Sequence, residues 1–128
     1  ADAVVNLVGA FDGNLKALMG EAAGRIAQHA NANGASAMVH VSAIGADADS
    51  EAGYAQAKAL GERCVRDAFA QATLIRPSIV FGEGDNFINM FAGVIRTFPV
   101  LPVFGPEARI QPVHVDDVAE AIARALED

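Results

Sequence analysis

The feature that most constrains this chain is an alternation: short apolar runs rich in β-branched residues recur between longer stretches whose apolar residues fall at helical spacing. Residues 3–9, AVVNLVG, are the first such run and end in glycine. From about 14 to 32, Leu15, Leu18, Met19, Ala22, Ala23, Ile26 and Ala30 predict a helix with one buried face, stopped by NGAS. Residues 38–44 predict the next strand. After the polar turn DADSE a second helix is expected over 52–70, with Leu60, Cys64, Val65, Ala68 and Phe69 on its packed side. Residues 72–81 begin as a third strand that Pro77 interrupts or ends, because proline brings no N–H to a ladder.

Past the loop GEGDN a shorter helix is expected over 87–97, then the proline-punctuated FPVLPVFGPEA and the strand-like IQPVHV. Asp116 is the expected N-cap of the last helix, with Asp117 in its first turn, and Val118, Ala119, Ile122, Ala123 and Leu126 form its expected inward stripe. The order β, α, β, α, β, α, short β, α predicts a parallel α/β architecture, since parallel neighbours need a crossover connection. With 128 residues the chain has the size of one domain. A formal charge of −7 argues against nonspecific attraction to nucleic acid or to anionic membrane surfaces. Apolar stretches such as IRTFPVLPVFG, broken by arginine and prolines, fall short of the ~20 residues of a membrane span. No basic n-region or signal-peptide core is visible at the first residues.

Chemistry concentrates on the second predicted helix. Tyr54 and Lys58 stand four residues apart, which places phenol and ammonium on one helical face, where the positive charge would favour the phenolate and suit Tyr54 to proton transfer. Ser42 lies just upstream, at the end of MVHVSAIG. His29, His40 and His114 lack a compact ligand spacing and have no cysteine cluster beside them, so no metal site is expected. Cys64, the one cysteine, excludes an intrachain disulfide and reads as core filler, and His114 reads as a structural histidine.

NLVG at 6–9, VSAIGAD at 41–47, YAQAKALGE at 54–62, IRPSIVFGEGD at 75–85 and QPVHVDDVAEAI at 111–122 occur in an order that resembles the later portion of the extended and atypical short-chain dehydrogenase/reductase superfamily. The likeness is greatest to the NAD-dependent epimerase/dehydratase-like group around the 39-kDa accessory subunit of respiratory complex I (NADH-ubiquinone oxidoreductase) and its bacterial relatives. The resemblance implies a partial Rossmann-like parallel sheet flanked by helices, with residues 1–128 as the C-terminal portion of one NAD(P)-binding domain and a segment of its substrate-side lobe. The glycine-rich N-terminal half is expected to be missing. Gly82 and Gly84 do not replace it, since their loop lacks G-x-G-x-x-G and carries Glu83 and Asp85 where a pyrophosphate would be repelled.

The same resemblance implies site roles. Tyr54 is similar to the family's proton donor or acceptor, Lys58 to the residue that binds the nicotinamide ribose, and Ser42 to the one that orients substrate oxygen. Asn6, Gly9 and Val41 fall where the family approaches the cofactor, and Pro77, Ser78 and Ile79 where the chain passes the nicotinamide and substrate pocket. Arg76 reads either as part of that segment or as a structural ion-pair partner. The implied cofactor is NAD or NADP. Two functions follow: an NAD(P)-binding accessory or assembly protein of complex I, or an oxidoreductase or epimerase acting on a carbonyl or alcohol once the N-terminal half is supplied. The implied location is cytoplasmic or matrix-facing, peripheral to a respiratory membrane. The outer edge of the first strand is expected to be exposed and to pair with missing residues of the same molecule or with a second copy.

Overall fold

The computed structural model describes residues 1–85, 92, 93, 96, 107 and 110–127. Three short strands, β1 (Ala3–Asn6), β2 (Ala37–Val41) and β3 (Thr73–Ile75), form a parallel sheet in sequence order. The register sets Val4 beside Met38, Asn6 beside His40, and His40 beside Leu74. Because side chains alternate across a strand, these five residues share one face of the sheet. Helices α1 (Ala22–Ala32) and α2 (Gly53–Ala68) make the two crossovers and cover that face. Ala23, Ala27, Ala30, Met38, Val65 and Phe69 form the core between them, with Val4 and Leu74 packed at its margin. The parallel α/β architecture that the alternation predicts is therefore present.

The helical pair owes its close approach to small residues. A Cβ built on Gly61 would lie 2.2 Å from the Met19 carbonyl oxygen, one on Gly20 2.6 Å from Leu60 and one on Gly24 2.7 Å from Cys64. The first helix opens to π geometry over Lys16–Glu21 before continuing as α1. That extra residue per turn shifts the helical phase. Met19 and Gly20 come to face α2, while Leu18, expected inside, is 45% exposed.

The run over 72–81 is interrupted at Pro77, as expected, and its two pieces lie in two sheets. Thr73–Ile75 completes the first sheet, and beyond Pro77 the chain forms β4 (Val80–Phe81), which pairs in parallel with β5 (Val113–His114). Of the helix expected over 87–97 only 92, 93 and 96 are described, and all three are helical. The irregular segment that follows lies outside the described residues.

The last helix, α3 (Val115–Glu127), starts directly from β5, one residue before the expected cap. Asp116 is therefore inside the first turn with Asp117, and the Asp116 backbone N–H donates to His114 Nδ1 at 3.3 Å, so His114 does the capping. The inward stripe is also narrower than expected: Val118, Ile122 and Leu126 are half-buried, while Ala119 and Ala123 are exposed.

Replacing Gly61 by alanine should force helix α2 away from Met19 at a cost of about 2 kcal/mol or more. Gly53→Ala, where a Cβ meets nothing within 4 Å, is the matched control. Chemical denaturation of both variants checks this, and equal midpoints would contradict the close-packing account.

Candidate functional site

Parallel strands bring their carboxyl ends to one edge of the sheet, which is where open α/β sheets bind ligands. Helix α2 carries Tyr54, Lys58 and Glu62 at successive four-residue steps, so all three lie along one stripe. Lys58 is buried, and its Nζ donates to the carbonyl oxygens of Val8, just after β1, and Val41, at the end of β2, each at 3.2 Å. An ammonium has three donors. The third makes no hydrogen bond among the described residues. The position of a Cβ on Gly9 is 3.9 Å from Nζ and meets nothing else within 4 Å, so the chain passes the ammonium there without a side chain to screen it. Burial lowers the Lys58 pKa, and the nearby Glu62 carboxylate works against that fall.

Tyr54 is half-buried, with Lys58 Nζ 5.9 Å from its ring centroid and Phe11 stacked on it at 5.2 Å and 14°. Burial raises the Tyr54 pKa. The lowering expected from Lys58 does not occur, because no hydrogen bond joins the ammonium to the phenol oxygen among the described residues and the charge faces the ring.

Ser42 is not joined to this pair. Its N–H donates to the Ile75 carbonyl at 2.8 Å, and its buried hydroxyl has no hydrogen-bond partner among the described residues. That hydroxyl lies near enough to Glu62 to help depress its pKa without reaching hydrogen-bond geometry. Asn6 is bonded at both ends of its amide: Nδ2 bonds His40 Nδ1 at 3.0 Å and Oδ1 accepts the Val8 N–H at 3.1 Å, which fixes how the chain leaves β1. Pro77 and Ser78 line a separate cleft of about 330 Å³ with Gln111, Pro112, Val113 and Asp117. The Pro77 carbonyl accepts the Ile44 N–H at 3.0 Å, and the Ile79 carbonyl accepts the Val113 N–H at 2.9 Å. Val41, Tyr54, Lys58 and Gly9 are thus together, while Pro77, Ser78 and Ile79 form a second group beside them.

Three residues of this region were not expected from the sequence. Glu62 is buried and takes a bidentate pair from Arg76, Nε to Oε1 at 2.8 Å and Nη2 to Oε2 at 2.5 Å, which settles Arg76 as an ion-pair partner. Burial alone would raise the Glu62 pKa, yet Arg76, with Ser42 and Arg66, brings it below the usual value. Its spacing from Lys58 was a usable signal. His40 is buried across from Asn6, and its Nε2 has no partner among the described residues. Its pKa falls from 6.5 to about 4, by burial first and then by the Lys58 charge, against the pull of Glu62. Phe11, on the loop after β1, left no trace in any periodic pattern.

The glycine loop after β4 closes on itself, with Gly82 N–H donating to Asp85 Oδ2 at 3.4 Å and Asp85 N–H to the Gly82 carbonyl at 3.2 Å. No group of three or more metal-ligating side chains is present among the described residues, and none of their helices is long and apolar enough to cross a membrane.

Parallel strands joined by helices, with a tyrosine and a strand-pinned lysine at their carboxyl ends, define a Rossmann-like domain of the short-chain dehydrogenase/reductase kind. Residues 46–128 match the family described as the RmlD substrate binding domain, and the chain belongs to that family, within the extended branch of the superfamily. The match takes in Tyr54, Lys58, Glu62 and residues 77–79 and leaves out Asn6, Gly9, Val41 and Ser42. The chain is 38% identical over 89 residues to NADH dehydrogenase [ubiquinone] 1 alpha subcomplex subunit 9, mitochondrial, of Dictyostelium discoideum, covering 70% of this chain and 25% of that protein. It is 37% identical over 94 residues to a ceramide reductase of Caulobacter vibrioides, covering 73% and 29%. The chain thus spans about a quarter of the length of these relatives. A dTDP-4-dehydrorhamnose reductase from Clostridium acetobutylicum superposes with a TM-score of 0.81 at 17% identity, covering 98% of this chain and 52% of that one. The enzyme WbmG of Bordetella bronchiseptica, solved in complex with NAD, gives 0.78 at 13% identity, covering 98% and 46%. These superpositions confirm the fold expected from the motifs.

The His40 shift has a definite sign. The folded pKa lies below the unfolded one, so the unfolded chain takes up the proton first and stability declines as pH falls from about 6.5 towards 4. The loss attributable to His40 is about 3 kcal/mol by the lower limit of that window. Denaturation midpoints of the protein and of His40→Gln across this range check it. The variant should lose less stability, and parallel curves would contradict the assignment.

Proposed function

We propose that this chain is the C-terminal portion of an NAD(P)-binding domain and that its natural protein is a dinucleotide-binding relative of the complex I accessory subunit. The observation that carries this reading is Lys58: an ammonium fixed by two backbone carbonyls at the carboxyl ends of parallel strands, with one donor left over beside an open glycine. Fixed geometry with a spare N–H suits a diol such as a ribose, because the donor is aimed before the ligand arrives. The residues present therefore fit a dinucleotide, with Lys58, Gly9 and Val41 around its ribose, Pro77 and Ser78 along the neighbouring cleft and Ile79 next to them in the chain. Buried Asn6 supports this set indirectly by fixing the chain at Val8. The complex I relatives extend the reading to a partner and a place: association with complex I subunits, peripheral to the respiratory membrane, on its matrix or cytoplasmic side. The outer edge of β1, with Val5, Leu7 and Val8 exposed, receives a further strand from the same polypeptide or from a second copy.

A second reading keeps the reaction. The Tyr54–Lys58 pair is intact, and the ceramide reductase at 37% identity is named for a reduction. When bound in its reduced form, the dinucleotide would supply the hydride to the substrate carbon. Tyr54 would give its hydroxyl proton to the substrate oxygen, Lys58 would stabilise the phenolate left behind, and Ser42 would hold the substrate oxygen after turning its hydroxyl away from Glu62.

The natural full-length polypeptide carrying this sequence separates the readings by titration with NADH and NADPH and by turnover of carbonyl substrates. Lys58→Met should weaken dinucleotide binding about tenfold or more, whereas Tyr54→Phe should leave it within about threefold. If the protein is a reductase, Tyr54→Phe lowers kcat by about 10²–10⁴-fold. Undiminished binding by Lys58→Met would refute the proposal.

A further inference from the structure

We propose that Glu62 is a positioning residue for dinucleotide binding: its buried carboxylate lies one helical turn from the Lys58 ammonium on the same face of α2, and through Arg76 it sets the path of the chain into Pro77 and Ser78. This rests on the reading of Lys58 as a dinucleotide ligand and adds a residue that touches neither dinucleotide nor substrate. Lys58 ties α2 to the ends of β1 and β2. One turn further along the same stripe, Glu62 ties α2 to β3, because Arg76 directly follows Ile75, the last residue of that strand. Arg76 in turn directly precedes Pro77 and Ser78, which line the cleft. The exits of β2 and β3 are laced by Ser42 N–H to the Ile75 carbonyl and Ile44 N–H to the Pro77 carbonyl, so fixing Arg76 fixes both loops.

Burial of the carboxylate is the informative part. Glu62 is 5% exposed while the side chain of its partner is 48% exposed. As a stabilising device such a pair is poor, since desolvation offsets much of the attraction and apolar residues of like volume often serve as well. As a source of field it is effective, because little water separates it from its neighbours. The titratable and charged groups near Lys58 are Tyr54 and Glu62 on α2 and His40 on β2; Glu62 also feels Arg66 and Arg76. His40 is neutral above about pH 4, so Glu62 supplies the negative charge that favours the ammonium. Removing that charge leaves burial in control of Lys58, and its pKa then falls.

The test uses the natural full-length polypeptide with Glu62→Gln, Arg76→Gln and the double variant. Lys58 is followed by the pH dependence of its ¹³Cε resonance, and NADH and NADPH affinity is measured from about pH 7 to 10. Glu62→Gln should move the Lys58 midpoint to lower pH, and dinucleotide affinity should begin its alkaline decline correspondingly earlier. Arg76→Gln keeps the carboxylate, so the Lys58 midpoint should stay or rise while affinity weakens across the whole range. An unchanged midpoint in Glu62→Gln, or the same fall in Arg76→Gln, overturns the proposal. If Glu62→Gln does not fold, the double variant leaves no unpaired charge and must show the same downward shift. Should the unmodified protein bind neither dinucleotide at any pH, the dinucleotide reading itself fails, while the Lys58 titration still decides whether Glu62 controls the amine.

Discussion

The two hydrogen bonds from the Lys58 ammonium to the Val8 and Val41 carbonyls are the constraint on which the rest of the site depends. They join helix α2 to the exits of two parallel strands and place a positive charge where the sheet geometry opens to a ligand. A buried cation needs compensation, and three sources provide it: two carbonyl dipoles, the Tyr54 ring face and the Glu62 carboxylate. Glu62 is itself held by Arg76, so the charge pattern runs along one face of α2 and ends on the strand that leads into the cleft.

That pattern needs α2 at a fixed depth. Alanine and glycine supply it: Gly20 and Gly24 on the first helix and Gly61 on the second let the backbones come close, and Met19 reaches the core through the π turn. A bulkier helix pair would lift Lys58 off its carbonyls. Packing of small residues and positioning of a charge are therefore one design, and the unusual helical geometry at 16–21 belongs to the site as much as to the fold.

Much of this was legible in the sequence. Alternating apolar runs fixed the order of strands and helices because parallel neighbours need helical crossovers, and Pro77 marked where the third strand ends. The four-residue spacing of Tyr54 and Lys58 put both on one face of α2, where the structure has them. What periodicity could not show was the phase shift at the π turn, which exposes Leu18, or the start of α3 at Val115, where a strand runs straight into a helix and leaves Asp116 inside the first turn. The expected lowering of the Tyr54 pKa also failed, since helical spacing sets proximity but not whether the ammonium meets the ring or the oxygen. Glu62 shows the same limit: its helical spacing from Lys58 is visible in the sequence, but its burial beside Ser42 and its pairing with Arg76 are not.

The account's central claim is that the ends of β1 and β2, with Lys58 between them, form a dinucleotide seat. A crystal structure of the natural full-length polypeptide grown with NADH or NADPH tests it most directly. The account predicts a ribose hydroxyl within hydrogen-bond distance of Lys58 Nζ, which keeps its bonds to Val8 and Val41, with the nicotinamide towards Tyr54. A dinucleotide bound elsewhere, with Lys58 unchanged and remote from it, would contradict the claim.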